Sequence, residues 1–522
     1  MFSITDTFIQ IKRRVSWRSA LFLISVTAIY FFTRLFHILD LPIFVDEGIY
    51  VNWARIAAGD PNWRFISLLD GKQVLQTWGT IPFVKLFPDN LLYAGRLFSV
   101  SSGFVGMIGI MSLSGYLWGK RAVAIAAFIY LLSPFFLFYD RLALVDSAVN
   151  AAVIWLMFVS ILLVRMRRLD VAVLFGAVAG TGMLAKSSLF MFIGLSCTAI
   201  VVFQHGQTIL YKVAHVWHNK KTFLDYIFLY LIGLFLALSI YLTQRFFSPF
   251  FHNIAQKNLT FILTFREWLT DPFQLVINNI QIVPQYVFWE SGWIIPVLGL
   301  VGIYLLWRKR DPLGHYLVLW IISPFIIIVM FNKVVYPRYL IFFAGLLSIA
   351  AVYALNSFST NTRRVMLLIT SVVLVYICLP QWFSVTNISL PPIDRGQYIE
   401  GASAVWGTPE LMQIIRTSTN DGKTALVLAE GDFGLIADVL RAYVKRSDHI
   451  DVRGLWPLNE SDIVAAQQET TDKHVFVVFP HRNDFPIHWQ QNLIEEVKVF
   501  DKPNGSPDKV YLFRVRPPVS PR

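Results

Sequence analysis

Phe44-Val45-Asp46-Glu47-Gly48-Ile49-Tyr50 sets two adjacent carboxylates just beyond the first long apolar segment, where the chain leaves the hydrocarbon of a bilayer. In a chain with few acids, a carboxylate beside hydrocarbon is costly and is rarely kept without a partner or a task. The alternative is a solvated loop turn. Position favours a chemical role, since acids within and next to membrane spans are functional hypotheses by default.

Hydrophobic residues make up 56% of the 522-residue chain and charged residues 15%, with a mean hydropathy of +0.56. This is the composition of an integral membrane protein. The formal net charge of +12 is unevenly spread. Lysine and arginine dominate residues 1 to 390, whereas residues 391 to 522 carry a slight excess of acids. That contrast divides a membrane part from a water-facing domain and assigns the basicity to the lipid side, so nucleic acid is discounted as a partner. Cys197 and Cys378 both lie in apolar segments and imply no disulfide framework.

Working outward from Asp46, the preceding segment, about residues 17 to 38, is long enough to span the bilayer and reads as a retained signal anchor after the basic start Lys12, Arg13, Arg14 and Arg18. Further spans are expected at 91 to 118, 121 to 139, 146 to 164, 169 to 184, 187 to 204, 223 to 243, 291 to 307, 313 to 331, 338 to 356 and 364 to 385, eleven in all. The short basic loops Lys120-Arg121, Arg165 to Arg168, Lys212 to Lys221, Arg308-Lys309-Arg310 and Arg363-Arg364 then share one side, which the positive-inside rule makes cytoplasmic. This predicts a multi-pass protein of the cell (plasma) membrane with a cytoplasmic N-terminus and an extracytoplasmic C-terminal domain. Two outer loops, 39 to 90 and 244 to 290, are long enough to cap a cavity. In the first, Tyr50, Trp53, Ala54, Ile56 and Ala57 recur near helical spacing and predict an interfacial helix on the bilayer, with Trp63, Trp78 and Phe83 as belt aromatics.

After Leu390-Pro391-Pro392, strand-like runs (Thr424 to Ala429, His474 to Phe479, Val510 to Val515) alternate with helix-like ones (Pro409 to Thr417, Phe433 to Arg446, Ser461 to Thr470). The fold class is therefore mainly α: a polytopic bundle of about eleven transmembrane helices, followed over 391 to 522 by a small soluble α/β domain. Gly431-Asp432-Phe433-Gly434 lacks the spacing of a nucleotide-binding loop and reads as a strand-to-helix turn.

The predicted topology gathers Asp46, Glu47, Asp70, Lys72, Asp140, Arg141, Asp146, Lys186, His252 and Arg338 at the outer surface, with Tyr50, Tyr336 and Tyr339 nearby. Acids set beside cations suit transfer from a phosphorylated donor: a carboxylate takes the proton of an incoming hydroxyl while lysine and arginine hold the departing phosphate. The structural alternatives are an interhelical pair for Arg141 and Asp146, snorkelling for Lys186 and Arg338, and a helix cap for Asp140.

At these residues the chain resembles the GT-C glycosyltransferases, in particular the protein O-mannosyltransferase and aminoarabinose (lipid A) transferase branch that uses dolichyl- or polyprenyl-phosphate sugars, over roughly residues 15 to 350. Asp46-Glu47-Gly48-Ile49-Tyr50 is similar to its D-E-x-x-Y signature, and Asp70-Gly71-Lys72-Gln73-Val74-Leu75-Gln76-Thr77-Trp78 to its G-K-x-P-L-x-x-W stretch. Arg141 to Ser147 resembles its R-x-x-x-x-D-S, Leu184-Ala185-Lys186-Ser187 its L-x-K-G/S, and Pro337-Arg338-Tyr339-Leu340 its R-Y-L. The resemblance implies the GT-C fold, Asp46 as catalytic base, and Glu47 and Asp146 positioning substrate or an ion. It also implies Lys72, Lys186 and Arg338 on the donor phosphate, with Tyr50, Arg141 and Tyr339 completing the substrate site. The prolines expected after Lys72 are replaced by Gln73-Val74, and the acid some relatives carry before that lysine is Gly71, which leaves a divalent metal ion in question and His252 and Glu47 as its candidate ligands. The W-W-D of oligosaccharyltransferases is absent from the sequence.

The leading expectation is an integral-membrane glycosyltransferase that moves one hexosyl or pentosyl unit from a polyprenyl-phosphate donor to an acceptor hydroxyl of a protein, lipid or polysaccharide outside the cytoplasm. The alternatives are a transporter or flippase of a lipid-linked or anionic substrate, and a membrane-anchored scaffold for residues 391 to 522. Transporters show repeated halves with polar sites near the midplane, whereas the acids here cluster at one face and no repeat is visible.

Overall fold

A computed structural model describes residues 16–203, 220–482 and 484–518 of the chain. The basic residues Lys12, Arg13 and Arg14, and most of the expected cytoplasmic loop Lys212 to Lys221, lie outside the described residues. Among those described, seven helices are long and apolar enough to cross a bilayer, and an eighth span is made if Val276–Glu290 and Ile294–Arg308 count as one, bent by 108°. The bend falls where Gly292 and Trp293 both adopt positive φ, 73° and 60°.

The other expected spans are helical but shorter, each for a local reason. The span expected at 121 to 139 is cut at Ser133-Pro134 into Lys120–Leu132 and Pro134–Tyr139, because proline offers no N–H to continue the ladder. Leu169–Ala185 has 17 residues, and the helix from Leu189 is interrupted at Thr198. The helices that start at Leu91, Asp146 and Pro337 form the centre of the bundle, whereas Trp17–Leu35 and Thr360–Phe383 keep most of their apolar surface on the outside.

The first outer loop departs from expectation. Helix Val45–Gly59 does not present an apolar face to lipid: Val51, Trp53, Ala54 and Ala57 are buried. The C-terminal domain covers it instead. Helix Ile436–Arg441 lies so close that a Cβ on Gly48 would come within 2.9 Å of the Val439 backbone nitrogen, which is why the residue after the acid pair has no side chain. Asn52 Nδ2 donates to Asp438 Oδ1 at 2.7 Å, and the Phe433 ring lies 5.5 Å from Trp53.

Before this helix, the short strand β1 (Ile43–Phe44) pairs antiparallel with β2 (Ala404–Val405) in the register Ile43↔Val405 and Phe44↔Ala404. The segment after Pro392 is thereby stitched to the acid-bearing turn. The soluble domain holds a five-stranded sheet in the order β4-β3-β5-β7-β6, with β3 Thr424–Glu430, β4 Ile450–Leu455, β5 Lys473–Phe479, β6 Ile494–Asp501 and β7 Lys509–Val515. β3 runs parallel to β4 and β5, and β7 antiparallel to β5 and β6. The strands not foreseen, β4 and β6, are the two edges. Their charged, alternating residues (Asp451 and Arg453; Glu495, Glu496 and Lys498) are what keeps an edge from pairing with another chain, and they hide the strand from a search for apolar runs.

Candidate active site

Asp46 and Glu47 both lie in the first turn of helix Val45–Gly59, where free backbone N–H groups and the helix dipole favour negative charge. Successive residues on an α-helix point about 100° apart, and here that angle separates two environments.

Glu47 is fully buried. Its Oε1 and Oε2 take a two-pronged contact from Arg96, at 2.9 Å from Nε and 2.8 Å from Nη2. Oε1 also accepts from the Ala143 N–H at 2.6 Å, and Oε2 reaches back to the Phe44 N–H at 3.1 Å. Arg96 completes the lock by donating to the carbonyls of Ile38, Leu41 and Pro42. This carboxylate ties the turn to the bundle.

Asp46 faces the other way, into a partly open cluster of charge. Lys72 Nζ stands 3.2 Å from Oδ1 and Arg338 Nη2 3.1 Å from Oδ2, and the Asp46 side chain is 25% exposed. Burial works against its charge, but Lys72 and Arg338 prevail and hold the carboxyl down at about 2. Tyr50 and Trp53, four and seven residues on, share its helix face, and Lys72 Nζ lies 5.0 and 5.8 Å from their ring centres. Lys72 is aimed by Gly71, whose φ of +64° turns the chain, and a Cβ there would come within 2.3 Å of the Asn253 carbonyl oxygen. Glycine at this position is thus demanded twice, by backbone and by space.

Asp70 lies 3.7 Å from Lys72 and 2.7 Å from Lys257. Asp146, opening the helix Asp146–Met166, is held 3.1 Å from Lys186 Nζ. Tyr339 links the two groups: Lys186 lies 3.8 Å and Arg338 5.4 Å from its ring centre, and Tyr336 flanks Arg338 at 5.3 Å. Three carboxylates face four cations, so the cluster is suited to one further anion.

Three residues singled out from the sequence sit elsewhere. Arg141 is buried and donates to the carbonyls of Gln381, Phe36 and His37, clamping the ends of neighbouring helices. Asp140 is buried, accepting from Ser147 at 2.7 Å and Tyr30 at 3.0 Å with Arg34 at 3.6 Å. His252 turns Nδ1 to the Pro249 carbonyl at 3.0 Å. As for a metal, among the described residues no three His, Cys, Asp or Glu side chains come together to hold one, and the oxygens of Glu47 are occupied by protein donors. The described residues thus do not fit a bound cation.

Lys257 and Asn253 escaped the sequence reading. They lie four apart on the second outer loop's helix Asn253–Phe261, and Asn253 donates to the carbonyls of Leu68 and Leu69 beside Asp70. Helical spacing of two polar residues in a capping loop was the available signal.

The environments of the two acids make a direct contrast. Glu47→Gln should destabilise the protein by about 3–5 kcal/mol, the usual effect of breaking a buried ion pair and stranding its partner, whereas Asp46→Asn, which gives up contacts at a partly open site, should lower the melting temperature clearly less. Thermal unfolding in detergent measures both. An unchanged melting temperature for Glu47→Gln would contradict its role as an anchor.

Neither a protein-family model nor a curated protein sequence matches the chain. Solved structures do resemble it. ArnT from Cupriavidus metallidurans in the apo state aligns with a TM-score of 0.60 at 14% identity, over 95% of this chain and 97% of that one. ArnT bound to undecaprenyl phosphate aligns with a TM-score of 0.57 at 16% identity, over the same shares. The Archaeoglobus fulgidus oligosaccharyltransferase in complex with Zn and sulfate gives a TM-score of 0.47 at 14% identity, over 87% of this chain and 67% of that one. Along almost its whole length, the chain has the fold of ArnT: a multi-pass membrane bundle carrying a small C-terminal sheet domain.

Proposed function

We propose that this protein is a membrane glycosyltransferase that moves one sugar from a polyprenyl-phosphate donor to an acceptor hydroxyl. The observation that carries the reading is the placement of Asp46 between Lys72 and Arg338. Without substrate, the carboxylate satisfies both cations and is a weak base. A donor phosphate offers the cations a better-matched anion; as they turn to it, Asp46 loses the interactions that lowered its proton affinity and becomes basic where a base is needed.

Asp46 then takes the proton of the acceptor hydroxyl as its oxygen bonds to the anomeric carbon. The bond from that carbon to the phosphate oxygen breaks, and its electron pair leaves on polyprenyl phosphate, stabilised by Lys72, Arg338 and Lys186. One displacement inverts the anomeric centre. Asp146 positions substrate through Lys186, and Tyr50 and Tyr339 frame the sugar.

Two observations support a lipid-linked donor. One ArnT structure holds undecaprenyl phosphate. Here a largely apolar cleft of about 400 Å³ runs between helices Leu91–Trp118, Asp146–Met166 and Leu169–Ala185, lined by Phe98, Val105, Ala148, Trp155, Leu174 and Gly182. Ala148 and Gly182, two and four residues along the chain from Asp146 and Lys186, line one end of it, and Trp155 and Leu174 lie further along the spans. The cleft suits a prenyl chain whose phosphate meets the cations.

The loop charges further support a cytoplasmic N-terminus and an outward C-terminal domain. A topology reporter fused after Arg522 should be active only outside the cytoplasm, and purely cytoplasmic activity would contradict this orientation. Asp46→Asn should lower transfer by about 10²- to 10⁴-fold, the usual loss for a positioned base, while binding undecaprenyl phosphate at least as tightly as wild type because two cations are freed. Single-turnover transfer and equilibrium binding separate the effects. Near wild-type transfer by this variant would remove Asp46 from the chemistry.

A further inference from the structure

On the far side of Arg338 the protein buries a second set of titratable groups that the transfer chemistry leaves unused. While Nη2 of Arg338 faces Asp46, Nη1 donates to the Tyr398 hydroxyl at 3.4 Å. The Tyr398 ring is wedged against Phe44, Phe138 and Tyr139 at centroid distances of 4.8, 5.3 and 6.0 Å. The Tyr139 hydroxyl donates to Asp394 Oδ2. Asp394 in turn faces Glu290, the last residue before the bent helix break.

Both acids are sealed from solvent, Asp394 at 0% and Glu290 at 2% exposure. Asp394 Oδ1 and Glu290 Oε1 meet no donor among the described residues. Tyr286, Asp146 and Arg338 complete the charged and titratable groups around them. Two buried carboxyls in contact cannot both hold charge without a large penalty, and a proton between them supplies the donor that each otherwise lacks.

We propose, building on the donor reading above, that Asp394 and Glu290 hold one proton between them and, through Tyr139 and Tyr398, act as positioning residues that set how firmly Arg338 is presented to the donor phosphate. They belong to the segment that β2 stitches to the acid-bearing turn and to the bent helix pair, so the device couples the base of the C-terminal domain to the phosphate site. Burial pushes the Asp394 carboxyl up, against the downward pull of Tyr139 and Arg338. A raised value means that the proton is held to higher pH than a free carboxyl holds it, and is lost only above that. Once it is lost, a further negative charge lies behind Tyr398 and competes with phosphate for the Arg338 guanidinium.

The test is the affinity of the full-length protein in lipid nanodiscs for undecaprenyl phosphate, measured from about pH 5 to about pH 9, a range that brackets a raised carboxyl, for wild type, Asp394→Asn and Tyr398→Phe. Wild type should lose about fivefold more affinity across that interval than Asp394→Asn, the ligand's own ionisation being common to both. Tyr398→Phe keeps the ring packing but uncouples Arg338; it should bind more weakly at the acidic end and lack the extra pH dependence. Parallel pH curves for all three proteins, each binding, overturn the inference while leaving the donor reading intact. No binding by any of them at any pH overturns the donor reading, and the inference with it.

Discussion

The site depends on one turn of helix in which two neighbouring carboxylates are sent to opposite fates. Glu47 is closed inside the protein on Arg96 and two backbone N–H groups, and that contact fixes the rotation of helix Val45–Gly59. Only with this rotation set does Asp46 meet Lys72 and Arg338, which arrive from the first outer loop and from the start of a late helix. A buried pair of this kind adds little net stability over an apolar substitute, because desolvation offsets most of the attraction. Its worth lies in the orientation it enforces.

The C-terminal part of the chain is more than an appended domain. β2 pairs with the residues just before Asp46, helix Ile436–Arg441 packs on Gly48 and Asn52, and Phe433 lies against Trp53. The helix that bears the acids is held from the membrane side by Arg96 and from the water side by the sheet domain. A rearrangement of either support would reach Asp46 directly.

Much of this was legible in the sequence, for reasons specific to each element. Long uncharged runs can serve only as membrane helices, so the bundle was plain from composition. Helix bounds were harder to read where Pro134 and Thr198 break apolar runs that hydropathy alone cannot divide. The alternating runs after Pro392 announced an α/β domain, but edge strands β4 and β6 were masked by their charges. Asp46, Lys72, Asp146, Lys186 and Arg338 were foreseen as one cluster, and the fold brings them together. What could not be read was direction: adjacent acids look alike until the helix rotation is known, and the aromatic stripe of Tyr50 and Trp53 meets protein where lipid was expected. Tyr398, Asp394 and Glu290 escaped notice because their meeting depends on contacts across more than a hundred residues of chain, which no local pattern encodes.

The chemistry of the site turns on whether the cations paired to Asp46 accept a polyprenyl phosphate as leaving group. Its most direct measurement is to incubate the purified full-length protein with a panel of polyprenyl-phosphate sugars and a mixture of glycan, lipid and peptide acceptors, and to follow free polyprenyl phosphate by mass spectrometry. Catalytic release from at least one donor, dependent on both acceptor and Asp46, is the expected result. Binding of the donors with no release from any of them, under conditions where the protein remains folded, would contradict it.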